Sequence, residues 1–292
     1  MKNIIACALL IGILTISVLE GFGNQVPAEP DQLVQVGDIK MGYRIYGQGY
    51  PLVLIMGYGS TMKLWEPGLI QALSSSFKVI VFDNRGMGST EVGQRPFSIE
   101  QFAEDTVGLL DALGLQEAHV LGWSMGALIA EEVALRHPAK VNKLILYAAH
   151  CNANLYPSAP EVIQKLRDSS GTPEERGMRF ISTLFPSDWL QNNRQRIKEI
   201  FYRPMGNLPP QSMGKQSRAI GLWKGCCDRL GEIKNPTLII AGADDVLVPA
   251  RNADYLSAKI LKAQLFLVEN SGHGLMFQNP EKFIEKVIDF LK

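Results

Sequence analysis

The chain has 292 residues, 46% of them hydrophobic and 20% charged, which is enough apolar material for one large core or two small ones. Lysine and arginine together number 29, as do aspartate and glutamate, so the net charge is zero and no broad basic surface for nucleic acid is predicted. The adjacent Cys226 and Cys227 lack the two-residue gap typical of zinc sites. We expect no bound metal and no cofactor.

The first 28 residues differ in composition from the rest of the chain. Residues 4–19 form a mostly apolar run of sixteen residues, and a polar segment rich in Gly and Pro follows it. This run is shorter than the roughly 20 residues that cross a membrane as a helix. Residues 1–28 are therefore predicted to be a secretory signal peptide, with an uncleaved N-terminal membrane anchor as the alternative. We expect a protein that is periplasmic, secreted or held at a membrane by this segment, and the cleavage site stays open.

Export would leave three cysteines in the mature protein, Cys151, Cys226 and Cys227. Because the number is odd, at least one thiol stays free. The sequence does not decide whether Cys151 pairs with Cys226 or with Cys227.

Strand-like and helix-like segments alternate from residue 31 to residue 150. The first two strands are predicted to form a hairpin that turns at Gly37-Asp38. The predicted strands are residues 33–36, 39–46, 52–56 and 79–82, a strand at Val120, and residues 143–149. The predicted helices are residues 61–73, residues 98–113, and a segment after Ser124. Ser98 and Gln101 are expected to form a capping box, with Phe97 and Phe102 as a hydrophobic staple.

The alternation stops between residues 151 and 230, where seven prolines interrupt short helical patterns. A structureless loop of this length is improbable in a compact domain, so the segment is predicted to be an inserted helical lid. The alternation returns in residues 231–292. Its predicted elements are strands 237–241 and 264–268 and helices 251–260 and 281–291. The sequence thus predicts a doubly wound, mostly parallel α/β sheet in two parts, 31–150 and 231–292, with the lid between them.

The motif Gly122-Trp123-Ser124-Met125-Gly126 lies where the strand at Val120 gives way to a helix. A Gly-x-Ser-x-Gly pattern at such a junction is typical of a nucleophile elbow, in which a sharp turn exposes the serine above the sheet. Glycines two positions before and after the serine remove side chains that would collide with neighbouring elements. Ser124 is therefore the predicted nucleophile, and a glycine turn with an incidental serine is the alternative. Trp123 has no role that the sequence assigns.

A serine hydroxyl needs a base, and the base needs a partner that holds its tautomer. His273 lies in a glycine-flanked loop between the last predicted strand and the last helix, and it is the predicted base. His150 is the next candidate among the four histidines. The chain order nucleophile, acid, histidine leaves Asp244 and Asp245, which follow a buried strand, as the candidate acids.

These motifs resemble the α/β-hydrolase superfamily over most of the chain, from about residue 38 onwards. The family's Gly-x-x-Asp-x-x-Val-Pro pattern is matched by Gly242, Asp245, Val248 and Pro249. The resemblance therefore implies that Asp245 is the acid. Residues 82–90 are similar to the family's Asp-x-Arg-Gly-x-Gly-x-Ser segment, for which a structural role is expected.

The resemblance also implies an oxyanion hole. Residues 54–60 stand where the family has His-Gly-x, so the backbone N–H groups of Tyr58 and Met125 are the expected donors. Met56 occupies the usual histidine position. This departure puts the hydrogen bonding that supports the loop in doubt, and a plain turn at residues 57–59 is the alternative.

The resemblance implies a serine hydrolase that acts on a small, apolar acyl substrate through an acyl-enzyme. Within the family the sequence is similar to esterases, lactonases and cofactor-free haloperoxidases (perhydrolases), and proline iminopeptidases share the Asp-x-Arg-Gly segment. A hydrolase-fold protein that only binds a ligand is the alternative that is not an enzyme. The aromatic residues of the predicted lid indicate either an apolar acyl pocket or the lid's own core: Phe185, Trp189, Phe201 and Trp223. The oligomeric state is not indicated.

Overall fold

The computed structural model describes residues 30–292. The predicted signal peptide, residues 1–28, lies outside the described residues. Within residues 30–292, no helix is both long enough and apolar enough to cross a membrane.

The strands of the described chain form a single eight-stranded sheet. They are β1 (Gln32–Val36), β2 (Ile39–Tyr46), β3 (Tyr50–Ile55), β4 (Phe77–Phe82), β5 (Ala118–Trp123), β6 (Val141–Tyr147), β7 (Thr237–Gly242) and β8 (Ala263–Val268). The order across the sheet is β1-β2-β4-β3-β5-β6-β7-β8. The hairpin β1-β2 is antiparallel and joins β4 in antiparallel fashion, whereas the strands from β4 to β8 are parallel. The predicted mostly parallel α/β sheet is confirmed.

The central strands are mostly apolar because both faces of the sheet are covered. In β3, Val53 and Ile55 belong to one apolar layer, whereas Leu52 and Leu54 belong to the layer on the opposite face. The helices that flank the sheet are α1 (Pro67–Ser74), α2 (Ile99–Ala112), α3 (Met125–Arg136), α9 (Arg251–Lys259), α10 (Leu275–Gln278) and α11 (Pro280–Leu291). Apolar residues of α2, α3 and α9 pack in the first layer, and those of α1, α10 and α11 pack in the second.

The first helix was predicted over residues 61–73, and its predicted start is wrong. Residues 62–64 form one short 3₁₀ turn, and α1 begins only at Pro67. A residue that precedes proline is disfavoured in helical conformation, whereas proline itself suits the first helical position. Glu66 therefore ends the turn and caps α1, since its carboxylate accepts a hydrogen bond from Leu69 N at 2.8 Å.

The start of α2 follows the prediction in part. Ser98 Oγ accepts a hydrogen bond from Gln101 N at 3.0 Å, and the rings of Phe97 and Phe102 meet edge to face with centroids 5.5 Å apart. The Gln101 side chain does not close the capping box, because its amide donates instead to Asp105 at 2.9 Å. Asp105 also accepts from the buried guanidinium of Arg85 at 2.7 and 2.8 Å. Gln101 thus supports the ion pair that anchors the loop after β4.

Five helices lie between β6 and β7, and we call residues 151–230 the insertion. They are α4 (Pro160–Arg167), α5 (Pro173–Leu184), α6 (Ser187–Asn192), α7 (Arg194–Phe201) and α8 (Pro210–Leu222). Prolines occupy the first position of α4, α5 and α8, where the missing N–H has no cost. That the insertion acts as a lid stays a prediction.

A disulfide joins the two ends of the insertion. Cys151 follows β6 and Cys227 precedes β7, and the two are bonded across a sequence separation of 76 residues. Cys226 is a buried free thiol that donates to Glu131 at 3.4 Å. The pairing that the sequence left open is therefore Cys151 with Cys227.

Replacing Cys151 and Cys227 together with alanine is expected to lower the free energy of unfolding by about 2 to 4 kcal/mol, because a cross-link that closes a long loop restricts the unfolded chain. Equilibrium unfolding in urea measures this difference. Dithiothreitol should destabilise the native protein by a similar amount and leave the double variant unaffected. A double variant as stable as the oxidised native protein would contradict the prediction.

Candidate active site

The predicted nucleophile Ser124 lies at the sharp turn between β5 and α3. Its backbone has φ 57° and ψ −120°, a conformation that is strained for a residue with a Cβ atom. Ser124 N donates to Tyr147 O at 2.9 Å, which holds the turn against β6. The side chain is partly exposed at the carboxyl edge of the sheet. This is the edge at which open α/β sheets bind ligands.

The two glycines of the motif allow backbone to contact backbone. A Cβ atom on Gly122 would lie 2.1 Å from Gly126 O, and a Cβ atom on Gly126 would lie 2.0 Å from Ile55 O. Both distances are far below van der Waals contact, and the neighbouring atoms belong to rigid backbone. The start of α3 can therefore reach β3 and β5 only if both positions are glycine.

Asp245 and His273 form a buried pair. His273 Nδ1 and Asp245 Oδ2 are 2.7 Å apart, and both side chains are almost fully buried. The other carboxylate oxygen of Asp245 accepts hydrogen bonds from Leu247 N at 2.8 Å and Val248 N at 2.9 Å. With Asp245 Oδ2 as acceptor, Nδ1 carries the proton and Nε2 is left free to accept one. Asp244, the other candidate acid, is exposed.

Two aromatic side chains fix the backbone of His273 through hydrogen bonds to its carbonyl oxygen. Tyr147 Oη donates to His273 O at 2.6 Å, and Trp123 Nε1 donates to the same oxygen at 3.2 Å. The Trp123 ring stacks on Tyr147 with centroids 5.7 Å apart and lies tilted against the His273 ring at 5.8 Å. Trp123, to which the sequence assigned no role, therefore holds the loop of the predicted base.

Ser124 directly follows Trp123, whose side chain contacts His273. Within residues 30–292, the hydrogen bonds do not include one between Ser124 Oγ and His273. Catalytic hydrogen bonds are often long or poorly aligned before substrate binds and tighten in the complex. The geometry thus places the three predicted residues at one edge of the sheet and joins two of them directly.

The loop of residues 57–59, which we call loop 57–59, packs against the elbow. A Cβ atom on Gly57 would lie 3.1 Å from Trp123 O and 3.4 Å from Ser124 Cβ. The Met56 side chain is fully buried, and Met56 O accepts a hydrogen bond from Asn84 Nδ2 at 2.9 Å. Asn84, which sequence reasoning missed, supplies hydrogen bonding at the point that the substitution of the usual histidine had put in doubt.

The second predicted oxyanion donor is the N–H of Met125, the first residue of α3. The first four N–H groups of a helix have no acceptor within the helix, and they carry the positive end of its dipole. Met125 is buried, and a Cβ atom on the next residue, Gly126, would lie 3.0 Å from the O atom of Met56, which directly precedes loop 57–59. The arrangement suits a developing negative charge at Ser124.

The other histidines have different surroundings. His119 is buried in the core, and burial lowers its pKa to about 4. His137 Nε2 lies 3.0 Å from a Glu104 carboxylate oxygen at the end of α3. His150, the second candidate base, is half-buried, burial lowers its pKa to about 4, and its ring lies 6.1 Å from Trp223. Among the described residues, Nδ1 of His150 has no hydrogen-bond partner, so no carboxylate orients that imidazole.

Aromatic residues of the insertion lie beside His273. The Phe185 ring fills the space next to Gly274, where a Cβ atom would come within 2.3 Å of it. Phe185 stacks on Trp189 at 4.7 Å and meets Phe201 edge to face at 6.1 Å. Gly274 N donates to Leu184 O at 2.8 Å, which ties the end of α5 to the loop of the predicted base. This aromatic cluster packs into the second apolar layer and joins the insertion to the loop of His273.

Trp223 does not belong to the aromatic cluster around Phe185. Its Nε1 donates to Glu132 at 3.0 Å on α3, and its ring packs near His150. Of the four aromatic residues predicted to form a pocket or a lid core, three therefore pack together and Trp223 contacts the sheet domain instead.

Comparisons of sequence and of structure with known proteins both find similar hydrolases. A family model described as alpha/beta hydrolase fold matches residues 50–280. A relative from Azorhizobium caulinodans, provisionally named carbamate hydrolase RutD, is 30% identical over 256 residues, which is 87% of this chain and 96% of that protein. A hydrolase from Pseudomonas aeruginosa has a TM-score of 0.77 at 26% identity, over 90% of this chain and 99% of its own. An esterase from Exiguobacterium antarcticum has a TM-score of 0.74 at 25% identity, over 89% of this chain and 98% of its own.

Changing Gly126→Ala is expected to lower the free energy of unfolding by more than about 3 kcal/mol, because the added methyl group would collide with the Ile55 carbonyl. The matched control is Gly214→Ala in α8, where an added Cβ atom meets nothing within 4 Å. The control should be neutral or stabilising by up to about 1 kcal/mol. Thermal or urea unfolding compares the two, and equal stabilities would contradict the packing described here.

Proposed function

The chain belongs to the alpha/beta hydrolase fold family, and we propose that it is a serine hydrolase that cleaves a carboxylic ester or related acyl bond of a small, apolar substrate. The buried Asp245–His273 pair beside the strained turn at Ser124 is the observation that carries this proposal. In acyl transfer, a strained serine at a strand-to-helix turn acts as the nucleophile and an oriented imidazole acts as its base.

In the proposed reaction, Ser124 Oγ attacks the substrate carbonyl carbon while its proton passes to His273 Nε2. The carbonyl oxygen becomes an oxyanion, which accepts hydrogen bonds from the N–H groups of Tyr58 and Met125. His273 then gives its proton to the leaving oxygen, and the carbon–oxygen bond breaks to leave an acyl group on Ser124. Water hydrolyses this acyl-enzyme by the same steps, with His273 again as base and then as acid.

Asp245 acts on His273 and not on the substrate. Its carboxylate accepts hydrogen bonds from two backbone N–H groups on one oxygen and from His273 Nδ1 on the other. This geometry keeps the imidazole ring in one tautomer and stabilises its positive charge after it takes the serine proton.

Carbamate hydrolysis is the second candidate function. The support is the relative named as a carbamate hydrolase, to which this chain is similar over 87% of its length. A carbamate presents the same carbonyl to Ser124, with nitrogen in place of carbon on one side. The aromatic cluster of Phe185, Trp189 and Phe201 favours an apolar group next to that carbonyl.

The role of Ser124 and Asp245 is tested with p-nitrophenyl esters of increasing acyl length, a lactone, a p-nitrophenyl carbamate and a prolyl anilide. Ser124→Ala is expected to lower kcat/KM by at least about 10³-fold, and Asp245→Asn by about 10³- to 10⁴-fold, because the nucleophile or the correct tautomer is lost. Asp244→Asn, which alters the exposed neighbour, should leave kcat/KM within about twofold.

Activity that survives Ser124→Ala would overturn the proposed mechanism, and a native protein that no fluorophosphonate labels would indicate a ligand-binding protein instead. The substrate with the highest kcat/KM separates ester, carbamate and peptide hydrolysis. Product partition with added peroxide or alcohol reveals an acyl transfer of the perhydrolase kind.

Export belongs to the same proposal. The support is the apolar N-terminal segment together with the Cys151–Cys227 disulfide, since disulfides persist mainly in oxidising compartments. The full-length chain, expressed in a bacterium, should appear in the periplasmic or membrane fraction with this disulfide formed. Removing residues 1–28 should keep the protein in the cytoplasm. Equal cytoplasmic recovery of both forms would contradict export.

A further inference from the structure

Gln216 connects the insertion to loop 57–59. It lies in the middle of α8, on a stripe of buried residues that also contains Ser212 and Ala219. The side chain is fully buried, and its Oε1 accepts a hydrogen bond from Gly59 N at 3.0 Å. Local sequence patterns cannot predict this contact, because the donor and the acceptor are 157 positions apart in the chain.

The hydrogen bond from Gly59 completes a pair of supports around Tyr58. On the N-terminal side, Asn84 donates to Met56 O at 2.9 Å. On the C-terminal side, Gln216 accepts from Gly59 N, and Gly59 holds a positive φ of 67°. The Met56–Gly57 and Tyr58–Gly59 peptide groups are thus fixed by side chains from two different parts of the fold. The Tyr58 N–H lies between them.

The second polar atom of Gln216 argues against a purely structural role. Among the described residues, its Nε2 is buried and has no hydrogen-bond partner. An unpaired buried amide N–H is costly, so the gain from the Gly59 hydrogen bond is largely offset. An apolar side chain of the same size would fill the space without that cost. Position 216 nevertheless carries a polar residue, and the one described hydrogen-bond partner of its side chain is the backbone of loop 57–59.

We propose that Gln216 is a positioning residue that holds loop 57–59 so that the Tyr58 N–H faces the oxyanion. This inference rests on the proposed function. Because an oxyanion exists only during the reaction, the interaction stabilises the transition state and not the bound substrate. Gln216 thereby makes the insertion part of the catalytic geometry.

The test uses Gln216→Met, which keeps the volume and removes the acceptor, and Gln216→Asn, which keeps an amide that is too short to reach Gly59. Both are expected to lower kcat by about 10- to 100-fold with KM changed by less than about threefold, since loosening a donor costs less than the 10²- to 10³-fold loss when one is removed. Gln211→Met, on the exposed side of α8, is the control and should leave kcat unchanged.

A trifluoromethyl ketone gives a second measurement that packing alone would not change. Ser124 Oγ adds to the ketone carbon, its proton moves to His273, and the ketone oxygen becomes an anion in the oxyanion hole. The inhibition constant should therefore weaken by about 10-fold in both Gln216 variants. The affinity for the corresponding alcohol, which forms no adduct, should stay the same.

The two variants separate positioning from packing. If only Gln216→Asn is impaired and also melts at a lower temperature, the residue fills space and the inference is overturned. It is also overturned if Gln216→Met keeps the native kcat and inhibition constant. The proposed function has a separate test, because activity that persists in Ser124→Ala would overturn it whatever the Gln216 variants do.

Discussion

The site depends on one close approach of backbone to backbone, at the junction of β3, β5 and α3. With no room for a Cβ atom at Gly122 or Gly126, the start of α3 lies directly against the Ile55 carbonyl. This contact forces the turn at Ser124 into its positive-φ conformation and brings loop 57–59 to the same point. The predicted nucleophile and both predicted oxyanion donors thus depend on the same two strands and the same helix. The strain at Ser124 persists because rigid elements on every side determine it.

Much of the fold could be predicted because its signals are local. Continuous apolar runs marked the buried strands, and Gly-x-Ser-x-Gly needed only its own strand and helix to be interpreted. The error at residues 61–66 arose from an apolar periodicity that continues through a residue preceding proline, where backbone sterics end the pattern. The contacts of Trp123 and Asn84 could not be predicted, because each side chain meets its partner across a large sequence separation.

The loop of His273 is held from two sides, by parts of the chain that are far apart in sequence. Tyr147 and Trp123, at the ends of neighbouring strands, fix its carbonyl from within the sheet domain. The end of α5 in the insertion accepts a hydrogen bond from Gly274 and covers it with the Phe185 ring. Loop 57–59 has the same arrangement, with Asn84 from the sheet domain and Gln216 from the insertion. Helices of the insertion therefore contribute to the geometry of both sides of the site.

The Cys151–Cys227 bridge gives the insertion the topology of a closed ring attached to the sheet at one point. A protease that cut the chain anywhere between these two cysteines would leave a nicked molecule whose halves remain covalently joined. The positions at which the insertion leaves and rejoins the sheet would also stay together if its helices were lengthened, shortened or exchanged. In evolution, the helices within such a ring can change, and with them the aromatic residues beside His273, while the strands of the sheet keep their positions.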